Sequence, residues 1–127
     1  MILPVLCIAP SGKNGRGVFT SQPIPANKII EISPVITLNR QDRKIVEKTR
    51  LFNYIFEWGK DNSMACIALG YVSMYNHHAP ANCEYEMDFD TDLMYIRTLR
   101  AIKKGEELFV NYHAEPNNDS ALWFQTK

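Results

Sequence analysis

The sequence predicts a mostly β fold of several small sheets with few short helices, and three observations carry that expectation. Apolar, β-branched runs are short and are separated by clusters of Gly, Pro, Asn and Asp. The stretch from Glu84 to Asp90 alternates with period two. Helix-like patterning is confined to one charged segment after Asn39. With 127 residues, 46% hydrophobic and 22% charged, the chain has the composition of one globular domain with one core. It carries no repeat of fixed period.

Taken in order, Ile2 to Ile8 reads as a buried first strand, although Pro4 interrupts it. Pro10, Ser11, Gly12, Asn14, Gly15 and Gly17 crowd into a loop before Val18 and Phe19 resume an apolar run, giving strand, glycine-rich loop, strand. Pro23, Pro25 and Asn27 make a second turn. Ile29 to Leu38 reads as a longer strand, and Pro34 within it predicts an edge or a bulge at that point. Asn39 is placed to cap a short surface helix through Lys48, with only Ile45 and Val46 to bury. Asp61, Asn62 and Ser63 turn the chain between the aromatic run Leu51 to Trp58 and the segment Met64 to Leu69. The alternation then puts Glu84, Glu86, Asp88 and Asp90 on one strand face and Tyr85, Met87 and Phe89 on the other. Asp90, Thr91 and Asp92 turn it into Leu93 to Ala101 as a hairpin, and Lys103, Lys104 and Gly105 turn the chain again before Leu108 to Tyr112.

Fourteen basic residues balance fourteen acidic ones, so no global field draws in nucleic acid. Cys7, Cys66 and Cys83 are widely spaced and form no CxxC pair, which predicts reduced thiols in an intracellular setting rather than a disulfide framework. The apolar amino end lacks a basic n-region, and no run approaches the roughly 18 apolar residues of a membrane span. A soluble protein is expected, cytoplasmic or nuclear. His77, His78, Cys83 and His113 match no tetrahedral spacing, so no metal is expected.

Three separated segments point to chemistry: Asn14-Gly15-Arg16-Gly17-Val18-Phe19, Tyr75-Asn76-His77-His78-Ala79-Pro80-Ala81-Asn82-Cys83, and Gly105-Glu106-Glu107-Leu108-Phe109-Val110-Asn111-Tyr112. Each alone is an ordinary turn or strand end. In this order and spacing they resemble the glycine loop, the NHSxxPN segment and the GEEL...Y segment of the SET domain family. Ala68-Leu69-Gly70-Tyr71 and Ile96 to Ile102 resemble the stretches leading into the second and third of these in small viral and bacterial members. Two departures stand out: His78 replaces the family's serine, and Ala81 stands where a proline is expected, with Pro80 one position earlier. No cysteine follows Cys83, so the family's post-SET zinc site cannot form.

The resemblance implies one SET domain over residues 1–127, with core motifs in 15–112 and a carboxy-terminal cap in 113–127. It further implies a pseudoknot that brings Asn76 beside Tyr112. The implied activity is methyl transfer from S-adenosylmethionine to a lysine side chain. Gly15, Arg16, Gly17, Tyr75, Asn76 and His77 then bind the cofactor, the asparagine near its amino-acid end and the histidine mainly through its backbone at the adenine. Tyr112 is the implied catalytic tyrosine, orienting the amine without acting as a general base. Tyr54, Tyr85, Val110, Trp123 and Phe124 are the expected walls of the lysine channel, and Tyr85 points to mono-methylation. The acidic stripe suits a basic, histone-like tail as partner, or is simply a solvated face. Small members of the family can form homodimers, which leaves self-association open. A SET module that has lost catalysis and only binds a protein is the alternative, as is methylation of a small amine.

Overall fold

The computed structural model describes residues 1–12 and 15–112, and it has nine strands, one α-helix and two 3-10 helices among them. Strands β1 (Leu6–Pro10), β2 (Arg16–Thr20), β9 (Glu107–Val110) and β6 (Asn76–His77) form a four-stranded sheet in the order β1-β2-β9-β6. Strands β4 (Ile55–Trp58), β5 (Met64–Ala68), β3 (Ile29–Leu38), β8 (Leu93–Thr98) and β7 (Cys83–Asp88) form a five-stranded sheet in the order β4-β5-β3-β8-β7. The expected mostly β architecture of small sheets is what the chain adopts.

The long strand β3 is the spine, and it corrects the expectation at Pro34. Residues Ile29 to Pro34 pair with β8, and Val35 to Leu38 pair with β5. Pro34 therefore sits where the strand changes neighbours, and its missing N–H falls at that handover rather than at an edge. The register shift lies upstream instead, between Ile29 and Glu31. The first strand also begins later than expected. Pro4 and Val5 turn the chain, so β1 starts at Leu6, while Leu3 N–H donates to the Ile30 carbonyl at 3.0 Å.

Helix α1 (Arg40–Val46) starts as its sequence predicts, with the Asn39 side chain accepting from Asp42 N–H at 2.9 Å. It ends at Val46 rather than Lys48, and none of its residues is fully buried. Val46 packs against Leu38, Ile55 and Ala65, but Ile45 is 64% exposed. The attachment is polar instead: Arg43 donates to the carbonyls of Asn62 and Met64 and to the Glu57 carboxylate. Seven residues give too short an apolar stripe to anchor the helix otherwise.

The β7–β8 hairpin forms, with Cys83 opposite Thr98 and Asp88 opposite Leu93. Phe89 and Asp90 lie beyond the end of β7; Asp88 accepts from the Asp90 and Thr91 N–H groups, and Phe89 packs edge-on against Trp58. Ile30, Met94, Ile96, Val18, Leu108 and Val110 are fully buried and join both sheets into the main core. Each such side chain stabilises the fold by about 1.5–3 kcal/mol. β9 lies between β2, antiparallel, and β6, parallel, with Asn76 opposite Phe109 and His77 opposite Val110. Asn82 fastens the same segment, its amide donating to the Glu107 carbonyl and its oxygen accepting from Phe109 N–H.

Candidate active site

The parallel pairing of β6 with β9 brings three distant segments together. The glycine loop closes through a 2.6 Å bond from Ser11 N–H to the Gly15 carbonyl, with Gly15 in the left-handed region at φ +72°. Nothing crowds Gly15, whereas a Cβ on Gly17 would overlap the Glu107 carboxylate and the Asn76 amide. A side chain at position 17 would therefore displace the Glu107 carboxylate and the Asn76 amide, which pack on the glycine's α-carbon from elsewhere in the chain. The Arg16 side chain is exposed, and its carbonyl accepts from Asn76.

Asn76 is 1% exposed and spends both amide hydrogens on fixed acceptors, the Arg16 carbonyl at 3.1 Å and Glu107 Oε2 at 2.8 Å. Its Oδ1 is buried and meets no donor among the described residues. Glu107 Oε1 accepts from Ser11 Oγ at 2.7 Å, and no cation among the described residues pairs with Glu107. A buried acceptor beside an unneutralised carboxylate favours a cationic ligand with N–H groups.

Tyr112 closes the site. Its hydroxyl donates to the Tyr75 carbonyl at 2.7 Å, and its backbone N–H donates to His77 Nδ1 at 3.1 Å. A ring nitrogen that accepts this bond carries no proton, so the His77 imidazole has its hydrogen on Nε2. The two rings lie 5.2 Å apart. Tyr85 donates its hydroxyl to the Tyr112 carbonyl at 3.1 Å and packs its ring on Phe56 at 5.3 Å. Burial pushes the phenols of Tyr112 and Tyr85 above their ordinary value; for Tyr112 the neighbouring Tyr54, Tyr85 and Glu107 add to it. Both are therefore neutral hydrogen-bonding groups near neutral pH rather than phenolate bases.

Other residues named from sequence fall as follows. Tyr54 ends the 3-10 helix Arg50–Tyr54, near Tyr112. The Tyr75 side chain points into the core, its hydroxyl donating to Glu31 at 3.0 Å, so its backbone carbonyl is what faces Tyr112. Val110 is buried in the main core, and its carbonyl accepts from His78 N–H. Trp123 and Phe124 lie outside the described residues. Sequence reading gave no role to Ser11, Glu31, Phe56, Asn82 or Glu107. Asn82 and Glu107 lie inside the second and third motif segments and were legible as neighbours; Ser11, Glu31 and Phe56 carry no local signal.

An open cleft of about 460 Å³ adjoins Glu107, lined by His78, Pro80, Asn82, Arg100, Glu106 and Phe109 among others, within the range of small-molecule sites. His78 donates through Nδ1 to the Pro80 carbonyl at 2.9 Å, and its ring lies 5.2 Å from Phe109. Arg100 and Glu106 form an ion pair at its rim. Burial pushes the Cys66 and Cys83 thiols up to about 12, so both are inert. Among the described residues no three metal-ligating side chains converge.

The SET domain family profile matches residues 15–113. A curated relative, the histone-lysine N-methyltransferase of Schizosaccharomyces pombe specific for H3 lysine-37, is 34% identical over 119 residues, which are 93% of this chain and 76% of that one. A Plasmodium falciparum protein provisionally named as a histone methyltransferase has a crystal structure that superposes with a TM-score of 0.66 at 27% identity, over 84% of this chain and 96% of that one. The match spans the convergent segments and the fold that joins them, so the chain belongs to the SET domain family of protein lysine methyltransferases.

Proposed function

We propose that this chain moves a methyl group from S-adenosylmethionine to a lysine side chain on a basic, histone-like segment of a protein. The observation that carries the reading is the bond from the Tyr112 hydroxyl to the Tyr75 carbonyl, one residue before Asn76. It sets the tyrosine expected at the amine beside the residues expected at the cofactor. A catalytically silent binding module has no need of a partly buried hydroxyl held at this point.

The residues present fit the cofactor. Asn76 Oδ1 offers an acceptor to an ammonium, and Glu107 offers a negative charge that a cation would balance. Gly15, Arg16 and Gly17 supply backbone, and His77 supplies its main chain on β6, next to Asn76 and one residue before the cleft-lining His78. When bound, S-adenosylmethionine supplies a methyl group activated by a positively charged sulfur.

The chain's own residues do the rest. Tyr54, Tyr85 and Phe56 give the channel aromatic walls, which disfavour an ammonium and so present the lysine amine in its neutral, nucleophilic form. The Tyr112 hydroxyl donates its hydrogen bond to the Tyr75 carbonyl, leaving its oxygen lone pairs to accept from the amine and hold it in line. Val110 sets β9 in the core behind this residue, and Trp123 and Phe124 are the proposed closing pair from the cap segment. Acidic Glu84 and Asp88 along β7, with Glu86 between them paired to Arg97, suit a basic substrate segment.

Incubation with radiolabelled S-adenosylmethionine and core histones tests the reading. Label in a histone band, lost to at least tenfold in Tyr112→Phe while S-adenosylhomocysteine still binds, is the expected result. Tyr112→Phe with wild-type turnover would remove Tyr112 from the chemistry. Label only on small amines would overturn the protein substrate.

A further inference from the structure

We infer that Glu31 is a positioning residue for the methyl transfer: its carboxylate clamps both ends of the Val72–Met74 turn and so fixes the Tyr75 carbonyl that holds the Tyr112 hydroxyl. Glu31 lies on β3 and is 0% exposed. Its Oε2 accepts from Tyr71 N–H at 2.7 Å, before the turn, and its Oε1 accepts from the Tyr75 hydroxyl at 3.0 Å, after it. Ser33 Oγ donates to Oε2 at 2.7 Å and holds the carboxylate in place. Gly70, at φ +67°, lets the chain come this close, since a Cβ there would overlap Ser33 and the Glu31 carboxylate.

The arrangement is a poor way to add stability. A carboxyl group with no exposure loses its hydration, and burial raises its pKa, the sign that the ionised form is disfavoured. An apolar residue of similar size would escape that cost only by removing the acceptor that Tyr71 N–H, Ser33 Oγ and the Tyr75 hydroxyl use. What the carboxylate adds is direction: two acceptor oxygens tie one turn to the rigid centre of the five-stranded sheet. The relay then has two steps, from Glu31 to the Tyr75 side chain and from the Tyr75 carbonyl to the Tyr112 hydroxyl at 2.7 Å. Tyr75 is also fully buried, so its ring cannot turn without moving its backbone through the core. A displacement of about 1 Å at a reacting group costs up to about a hundredfold in rate, enough for a remote anchor to be read in turnover.

The inference rests on the assignment of Tyr112 to the reacting amine, and a double-mutant cycle separates the two claims. Tyr75→Phe removes one hydroxyl, keeps the ring and cuts the relay. It should lower kcat about tenfold, with S-adenosylhomocysteine affinity within about twofold of wild type, which a loss of folding alone would not give. In a Tyr112→Phe background the same change should have no further effect on kcat, because the hydroxyl it positions is gone. Glu31→Gln can still accept from Tyr71 and donate to the Tyr75 oxygen, and should keep most turnover where Glu31→Leu loses it. An additive cycle, or Tyr75→Phe within about twofold of wild-type kcat, would overturn the role of Glu31. If Glu31→Leu does not fold, the Tyr75→Phe cycle decides alone. Wild-type protein that transfers no methyl group to any protein would instead sink the reading of Tyr112, and this inference with it.

Discussion

Replacing Asn76 with alanine is the most direct probe of the site. The change deletes one bond to a neutral carbonyl, at 3.1 Å, and one to the Glu107 carboxylate, at 2.8 Å. The first is worth about 1 kcal/mol and the charge-assisted second about 1.5–3 kcal/mol, so the expected loss is about 2.5–4 kcal/mol. Domains of this kind have about 5–15 kcal/mol to lose, so the variant should remain folded with a melting temperature roughly 10–20 °C lower. The same change deletes Oδ1, the acceptor that meets no donor among the described residues. Ligand present at a hundred times its Kd adds about 2.7 kcal/mol to a folded protein. Melting curves with and without S-adenosylhomocysteine should therefore show a clear rise for wild type and none for Asn76→Ala. A retained ligand shift would refute the assignment of Asn76 to the cofactor. A melting temperature unchanged by the substitution would refute the energetics drawn from its two bonds.

The two glycines of the loop should behave differently. Gly15→Ala meets open space but a left-handed backbone, costing about 1–2 kcal/mol, whereas Gly17→Ala drives a methyl into Glu107 and Asn76 and should abolish ligand binding as well; equal ligand affinities in the two, by calorimetry, would contradict this. Tyr85→Phe removes the hydroxyl held at the Tyr112 carbonyl, and it should shift products from mono- toward di-methylation. Mass spectrometry of a methylated peptide checks it, and identical product distributions would make Tyr85 plain core. The bond to Arg100 holds the Glu106 carboxyl down at about 2, against an ordinary value of 4.5. As pH falls below about 4.5 the unfolded chain takes up this proton first, so the pair's stabilisation is present above 4.5 and is lost between there and about 2. Arg100→Ala should flatten the acid limb of a stability-against-pH curve, modestly because Arg100 is 55% exposed; an unchanged limb would show that the pair carries no linkage.

What could be read from the chain was local. Period-two alternation places Tyr85 and Met87 opposite Glu84 and Glu86, because a strand presents alternate residues to one face whatever it pairs with. Asn39 caps α1, since a cap needs only the next three residues. The three motifs were legible as types and as an order, which carried the family. Other outcomes depend on partners far away along the chain. Pro34 is tolerated inside a central strand because β5 and β8 each cover a different half of β3, a fact about neighbours and not about proline. Ile45 stays exposed because Arg43 finds acceptors across the chain at Asn62, Met64 and Glu57. Gly17 is fixed by Glu107, and Tyr75 is turned inward by Glu31, contacts that no window of sequence contains. The sequence by itself determined the class of fold, because propensity and periodicity act over a few residues, and it pointed to the segments that meet only through the family that their motifs resemble. Only the tertiary structure decided which atom of each residue the site receives, the Tyr75 carbonyl rather than its hydroxyl, because burial and hydrogen bonding are settled between segments and not within them.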